Sequence, residues 1–291
     1  MSKTKILITG AGGFLGSRIY REYKNKYDIT ALTAKDLDVT DYEAASFVLE
    51  KVKPDIIFHG AAISATKACE DNPQLAYRVN VEGSVNIAKI ARKIGAKMLF
   101  VSSEQVFNGN VNDGPYSEED EAIPNTVYGQ TKLEAERLLR QEIDELWILR
   151  LSWMFGLPER NVPNNPNLFW KIICAVMSDK QIKIASNEYR GITYVYDLID
   201  NLENIFELPY GTYHFGSENE QSTYDTAVFI LERIGLSKEK IDRIVIRDED
   251  KYKDKKRDLR MSYEKIKSFG ININTSQQSI ERALKEFDFK F

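Results

Sequence analysis

Short apolar runs alternate with longer stretches of helical periodicity through the first half of the chain. Ile6-Leu7-Ile8, Ile29-Thr30-Ala31-Leu32, residues 54–59 and residues 97–101 each have the length of a strand, and the first has the unbroken apolar character of one covered on both faces. Residues 14–24, 42–52 and 72–95 lie between them and read as helices. In the last of these, Asn72 is the expected N-cap and Pro73 opens the first turn, with Leu75, Val79, Val85, Ile87 and Ile90 leading to a stop at Gly95. Repeated strand-helix alternation predicts an α/β fold on a doubly wound parallel sheet.

The pattern loosens after Pro158. Pro163, Pro166 and four asparagines before Leu168 predict a loop over a cleft, one that orders with ligand. An apolar helix over 169–177 and a strand over 182–184 follow. The 193–198 segment leads into a helix with Leu198, Leu202 and Ile205 on one face and Asp197 as its expected cap. Residues 211–216 read as a late strand returning to the main sheet, with His214 as a packed, hydrogen-bonded residue. A helix over 224–234, a strand over 241–246, a solvated connector over 247–260 and amphipathic stretches over 263–269 and 280–287 complete the expected elements.

Composition narrows the chemistry. With 44 acidic and 40 basic residues the net charge is -4, so no global field draws the chain to nucleic acid or an anionic membrane. Two cysteines, Cys69 and Cys174, and two histidines, His59 and His214, indicate neither a disulfide framework nor a zinc cluster, and both thiols are expected to be buried or inert. No apolar run is long enough to span a bilayer, and the charged start leads directly into a strand, unlike a signal peptide. A cytoplasmic protein acting on a small molecule is expected, with no membrane or nucleic-acid partner and a homodimer left open.

One stretch carries the first specific chemistry. Thr9-Gly10-Ala11-Gly12-Gly13-Phe14-Leu15-Gly16 joins the first strand to the first helix through glycines that let backbone N–H groups approach an anion, with the helix dipole aimed at it. The spacing Gly10-x-x-Gly13-x-x-Gly16 differs by one residue from the strict dinucleotide fingerprint. It predicts a pyrophosphate cradle and hence a Rossmann dinucleotide-binding domain over 1–155, with 192–216 returning to it and 156–291 forming mainly a smaller C-terminal α/β substrate-binding lobe. After the second strand, Lys35 either accommodates a 2′-phosphate, favouring NADPH, or is merely solvated, while Asp38 and Val39 read as a turn. Ala61 and Ala62 are small enough to let the cofactor cross the end of the third strand. Asn80 either orders the site or packs its helix.

Ser102 and Ser103 end the fourth strand, and Tyr128 and Lys132 sit four residues apart at the start of a helix. This spacing predicts that the lysine ammonium lowers the phenol from its ordinary value near 10 and poises Tyr128 as a general acid. Ser103 would hydrogen-bond the same keto oxygen, and Ser102, Tyr128 and Lys132 would also border the cofactor, NADH or NADPH.

Together these motifs resemble the extended short-chain dehydrogenases and reductases, and within them the dTDP-4-dehydrorhamnose reductase type. Thr9 to Gly16, Lys53-Pro54-Asp55, Asn72-Pro73, Ser102 to Gly109, Tyr116-Ser117-Glu118-Glu119-Asp120, Val127 to Glu134, Arg150 to Gly156 and Thr193 to Leu198 carry the likeness. The resemblance implies a nucleotide-sugar reductase in which Ser103, Tyr128 and Lys132 are catalytic, Glu104 and Trp153 face the sugar, and Asp38 and Val39 border the adenine. Departures fall beside that sugar: Ser103-Glu104-Gln105 stands where the family commonly has Thr-Asp-Tyr, and Arg190-Gly191-Ile192-Thr193 where it commonly has Gly-x-Pro-Thr. Arg190 is therefore either a contact to a substrate anion or a surface ion pair, and Lys256, Arg257 and Arg260 are further phosphate candidates. An epimerase or dehydratase with retained NAD, and a cofactor-binding regulatory subunit, are the rival functions; Gln105 removes the second acid a dehydratase uses.

Overall fold

The computed structural model describes residues 3–288. Its strands are β1 (Lys5–Thr9), β2 (Asp28–Leu32), β3 (Ile56–His59), β4 (Lys97–Ser103), β5 (Leu146–Leu151), β6 (Trp153–Phe155), β7 (Ile182–Ala185), β8 (Glu188–Tyr189), β9 (Ile192–Tyr194), β10 (Gly211–Phe215), β11 (Val245–Asp248) and β12 (Arg257–Asp258). Six of them form one sheet in the order β10-β5-β4-β3-β1-β2, with every pair parallel. The α/β architecture read from the strand-helix alternation is the one observed.

Strand periodicity explains why both faces are covered. Ile6 and Ile8 point into one apolar cluster with Phe58, Leu99, Trp147 and Leu149, which is closed by Ile19 and Tyr23 of the helix Phe14–Tyr23 and by Leu198, Leu202 and Ile205 of the helix Val195–Phe206. Leu7, Ile57, Met98, Phe100 and Ile148 point the other way, against Leu49, Ile87 and Leu139 of the helices Tyr42–Val52, Gly83–Ile94 and Val127–Glu142. Order reverses between β1 and β3, so a crevice opens at their carboxyl ends, the place where such sheets bind ligands. The remaining strands pair only in twos, β11 with β7, β12 with β8 and β6 with β9.

Several elements depart from the pattern-based expectation. Residues 73–94 are helical throughout, but Arg78–Glu82 is a π-turn between the α-helices Pro73–Tyr77 and Gly83–Ile94. The expected strand over 241–246 is instead a helix, Lys238–Ile244, capped by Ser237 and followed by β11; a run rich in β-branched residues had hidden Ile241 and Ile244, which are buried one turn apart. The 247–260 connector is only partly solvated, because β12 pairs with β8 and Asp258 and Leu259 are buried. Asp197 does not cap its helix: it lies inside it and binds Asn274, Ser279 and Arg282, tying that helix to Ser276–Glu286. Cys69 is buried as expected, whereas Cys174 is exposed. Among the described residues no helix is long and apolar enough to cross a membrane, and no cluster of metal-ligating side chains occurs.

Both histidines are locked into the main sheet as neutral rings. His59 lies between the Thr9 and Ser84 hydroxyls at 2.7 and 3.0 Å, while His214 faces the Ser262 carbonyl and the Arg150 guanidinium. Burial pushes each imidazole down to about 3. The unfolded chain therefore binds more protons than the folded one between about pH 3 and 6.5, so stability rises with pH across this window and is lost as pH falls. Near pH 5 the two rings give a slope of at most about 2.7 kcal/mol per pH unit, partly offset by Glu118, which burial pushes the other way. Urea midpoints measured from pH 5 to 6.5 are expected to climb; a flat profile would show that the rings are protonated in the fold.

Candidate active site

One cleft of about 1300 Å³ at the carboxyl ends of β1 to β5 gathers most of the predicted site residues. Gly10, Gly12, Gly13, Phe14, Leu15, Gly16, Lys35, Asp38, Val39, Ala61 and Ala62 line one part of it, and Ser102, Ser103, Glu104, Tyr128, Lys132, Trp153 and Arg190 line the rest. Of the three further basic candidates only Arg257 reaches it. Lys256 is paired with Asp113 and Asp258, and Arg260 with Asp258 and Glu220.

The glycine loop has the shape of a cradle. Gly10 has φ +72°, and a Cβ there would meet the Gly60 and Ala61 backbone at 2.7 Å; a Cβ at Gly16 would lie 2.6 Å from the Gly10 carbonyl. The loop is thus folded tightly against the end of β3, leaving backbone N–H groups and the N-terminus of the helix Phe14–Tyr23 at the cleft, as a bound pyrophosphate requires. Lys35 is exposed at the rim. Asp38 accepts from the Thr40 N–H and hydroxyl at 2.9 and 2.8 Å, which hold its carboxyl below the ordinary range.

The reacting end is assembled on the helix Val127–Glu142 and β4. Thr126 caps that helix through Gly129 N, and a Cβ at Gly129 would lie 2.4 Å from the Gln105 carbonyl, so glycine permits the close approach to the segment after Ser103. Burial pushes the Tyr128 phenol up to about 12, with only the Ser103 side chain pulling it down. This corrects the expected effect of Lys132: its ammonium lies 4.0 Å over the Phe100 ring, and burial brings the lysine itself down to about 7 while Glu136 opposes the drop. Tyr128 therefore holds its proton at neutral pH, as a proton donor must.

Glu136, one turn beyond Lys132, was not singled out in the sequence. It is fully buried, accepts from Ser102 Oγ at 2.5 Å and from Arg150 Nη2 at 2.8 Å, and pairs with Arg140. The Ser102 hydroxyl is thus engaged with Glu136 although the residue borders the cleft. The i,i+4 step from Lys132 was the available signal. Asn80 joins the same assembly from the π-turn: it accepts from Ile63 N at 2.8 Å and donates to Ile63 O and Thr131 Oγ1, each at 3.1 Å.

The 156–167 loop is held by contacts to the rest of the protein. Arg18, wholly buried, donates to Glu159 at 2.8 Å and to the Phe14 and Pro163 carbonyls at 2.9 and 2.8 Å, and its guanidinium lies 4.3 Å over the Phe14 ring. Glu159 is also held by Arg21 and Tyr196. The glycine-loop helix and the loop contributing Asn165 and Pro166 to the cleft are therefore one mechanical unit.

The family model for the RmlD substrate binding domain matches residues 4–289. The chain belongs to that family. It is thereby a member of the extended short-chain dehydrogenases and reductases of the dTDP-4-dehydrorhamnose reductase type. The chain is 33% identical over 238 residues to a dTDP-4-dehydrorhamnose reductase of Aggregatibacter actinomycetemcomitans, covering 78% of each chain. It is 31% identical over 234 residues to the spore coat polysaccharide biosynthesis protein SpsK of Bacillus subtilis (strain 168), covering 80% of each. Methionine adenosyltransferase 2 subunit beta of Xenopus laevis is 29% identical over 246 residues, covering 80% of this chain and 72% of that one. Among solved structures, a dTDP-4-dehydrorhamnose reductase from Bacillus anthracis in complex with NADP superposes with a TM-score of 0.86 at 24% identity, over 98% of this chain and all of that one.

Replacing Arg18 by alanine leaves Glu159 with Arg21 and Tyr196 alone and removes the contacts to the Phe14, Leu157 and Pro163 carbonyls. Cleavage by a nonspecific protease within 156–167 should become at least tenfold faster, and an unchanged cleavage rate would show that Arg18 does not hold the loop.

Proposed function

We propose that the protein is an NAD(P)H-dependent reductase of a keto-deoxy sugar nucleotide, with dTDP-4-dehydro-L-rhamnose to dTDP-L-rhamnose as the reaction to test first. The observation that carries this is the convergence of Ser103, Tyr128 and Lys132 on the cleft that also contains the glycine loop. Residues 1–155 would hold the cofactor, with the returning β10, and residues 156–291 would contribute most of the sugar-nucleotide side. When bound, the cofactor supplies hydride to the keto carbon.

The chain's own groups manage the proton. Tyr128, protonated at neutral pH, donates from its phenolic oxygen to the keto oxygen as charge develops there, and the Ser103 hydroxyl donates a second hydrogen bond to the same atom. Lys132, held by Phe100 and opposed by no other cation on its helix turn, binds the nicotinamide ribose. Glu136 fixes Ser102, and through it the end of β4, relative to the tyrosine helix. Gln105, buried and accepting from Arg257 at 3.1 Å, supplies no second acid, which weighs against a dehydratase.

The similarity to methionine adenosyltransferase 2 subunit beta supports a second reading, a cofactor-binding regulatory subunit. Cofactor oxidation decides between them. With dTDP-4-dehydro-L-rhamnose, NADH and NADPH tried separately, repeated turnover is expected; cofactor binding without oxidation favours the regulatory role. Tyr128→Phe should lower kcat about 10²- to 10⁴-fold while leaving cofactor affinity within twofold, and undiminished kcat would remove Tyr128 as the donor. Lys35→Ala should weaken NADPH more than NADH, whereas equal losses would mean that Lys35 does not meet a 2′-phosphate.

A further inference from the structure

One end of the cleft holds a buried ion pair whose hydrogen bonds are not made. Glu104 and Arg190 pair through Oε1 and Nη2, with their side chains 1% and 10% exposed. The Arg190 Nε and both Glu104 carboxylate oxygens have no hydrogen-bond partner, although all three are buried. In a guanidinium, Nε and Nη2 form one donor edge, the edge that meets a carboxylate with two parallel bonds. Here the two groups touch as an ion pair, but neither bond of that fork is made.

The surroundings hold this arrangement in place. The Arg190 guanidinium lies 4.5 Å over the Trp153 ring, and its Nη1 is 3.7 Å from Glu188. Arg257 donates to the same Glu188 oxygen at 2.7 Å and to Gln105 at 3.1 Å. The Arg190 carbonyl accepts from Asn219 at 2.7 Å, and a Cβ at Gly191 would strike the Ser217 carbonyl at 2.4 Å, so the backbone is clamped on both sides. Two guanidiniums and two carboxylates make the cluster neutral, which gives no net attraction to a further anion. Arg190 is therefore neither the surface ion pair nor the free phosphate-binding cation that the sequence allowed.

A buried donor and acceptor without partners are costly, and the group that satisfies both at once must be a donor and an acceptor itself. A neutral hydroxyl is such a group; a methyl is neither, and a carboxylate would face Glu104. We propose that the Glu104–Arg190 pair is the specificity element of this site, reading one hydroxyl of the sugar, which donates to Glu104 Oε2 and accepts from Arg190 Nε. This rests on the sugar-nucleotide reductase proposed above. The guanidinium also covers one face of Trp153.

Binding without turnover tests it. Affinities of the NADP⁺-loaded protein for dTDP, dTDP-L-rhamnose and its 2- and 3-deoxy counterparts would be measured by calorimetry for the wild type, Arg190→Gly, Arg190→Lys and Glu104→Gln. In the wild type the rhamnosyl group should strengthen binding over dTDP, and one deoxy sugar should lose on the order of 10–100-fold of that gain. In Arg190→Gly the parent and that deoxy sugar should bind alike, with dTDP affinity unchanged, and Arg190→Lys, which keeps the cation but not the fork, should behave the same way. Retained NADP⁺ binding checks that each variant is folded. Equal binding of both deoxy sugars and the parent to the wild type, or an undiminished rhamnosyl gain in both Arg190 variants, overturns the proposal. A gain that depends on Arg190, found in a protein that oxidises no cofactor, supports it and overturns the reductase instead.

Discussion

A carboxylate with no access to water holds the reacting end of this molecule together. Glu136 projects from the helix that carries Tyr128 and Lys132 and is bound by Ser102 from β4 and Arg150 from β5, with Arg140 closing its solvent side. Three elements meet at one charge. Removing a partner from such a buried group is far costlier than the pair is worth in water, so the geometry is enforced by the penalty for leaving it. The same charge opposes the loss of the Lys132 proton that burial drives, linking the position of the helix to the charge state of its lysine.

A second arginine does comparable work at the opposite end. Arg18 joins the helix after the glycine loop to the segment that rims the cleft, so the glycine loop and that rim cannot shift independently. The cleft is bounded by a rigid sheet edge on one side and by this strapped loop on the other. The small paired strands, β6 with β9 and β8 with β12, bring Trp153, Arg190 and Arg257 to the same mouth.

Much of this was legible in the residues. The glycine loop, the Tyr128-Lys132 step and the apolar runs report local geometry, and local geometry is what periodicity and turn chemistry encode. The helix Lys238–Ile244 was obscured because a short run of isoleucines has no distinguishable period. The poise of Tyr128 was misjudged for a different reason. Spacing places a lysine near a phenol, but burial decides whether the charge acts on it, and burial is a property of the whole fold. Arg18 and Glu136 were likewise hidden: a charged residue that ends inside the protein is chosen by partners up to 145 positions away, as Arg18 is by Pro163.

The π-turn at Arg78–Glu82 constrains how this chain can change length. A π-turn amounts to one residue more than an α-helix would use over the same span, and it is here that Asn80 reaches both Ile63 and Thr131. Deleting a single residue there would restore a regular helix with its flanks in phase, leaving Ile87 and Ile90 in the core, but the wide turn that presents Asn80 to both partners would be lost. Length variation in relatives is therefore expected to avoid this helix and to collect in exposed connections such as 249–256.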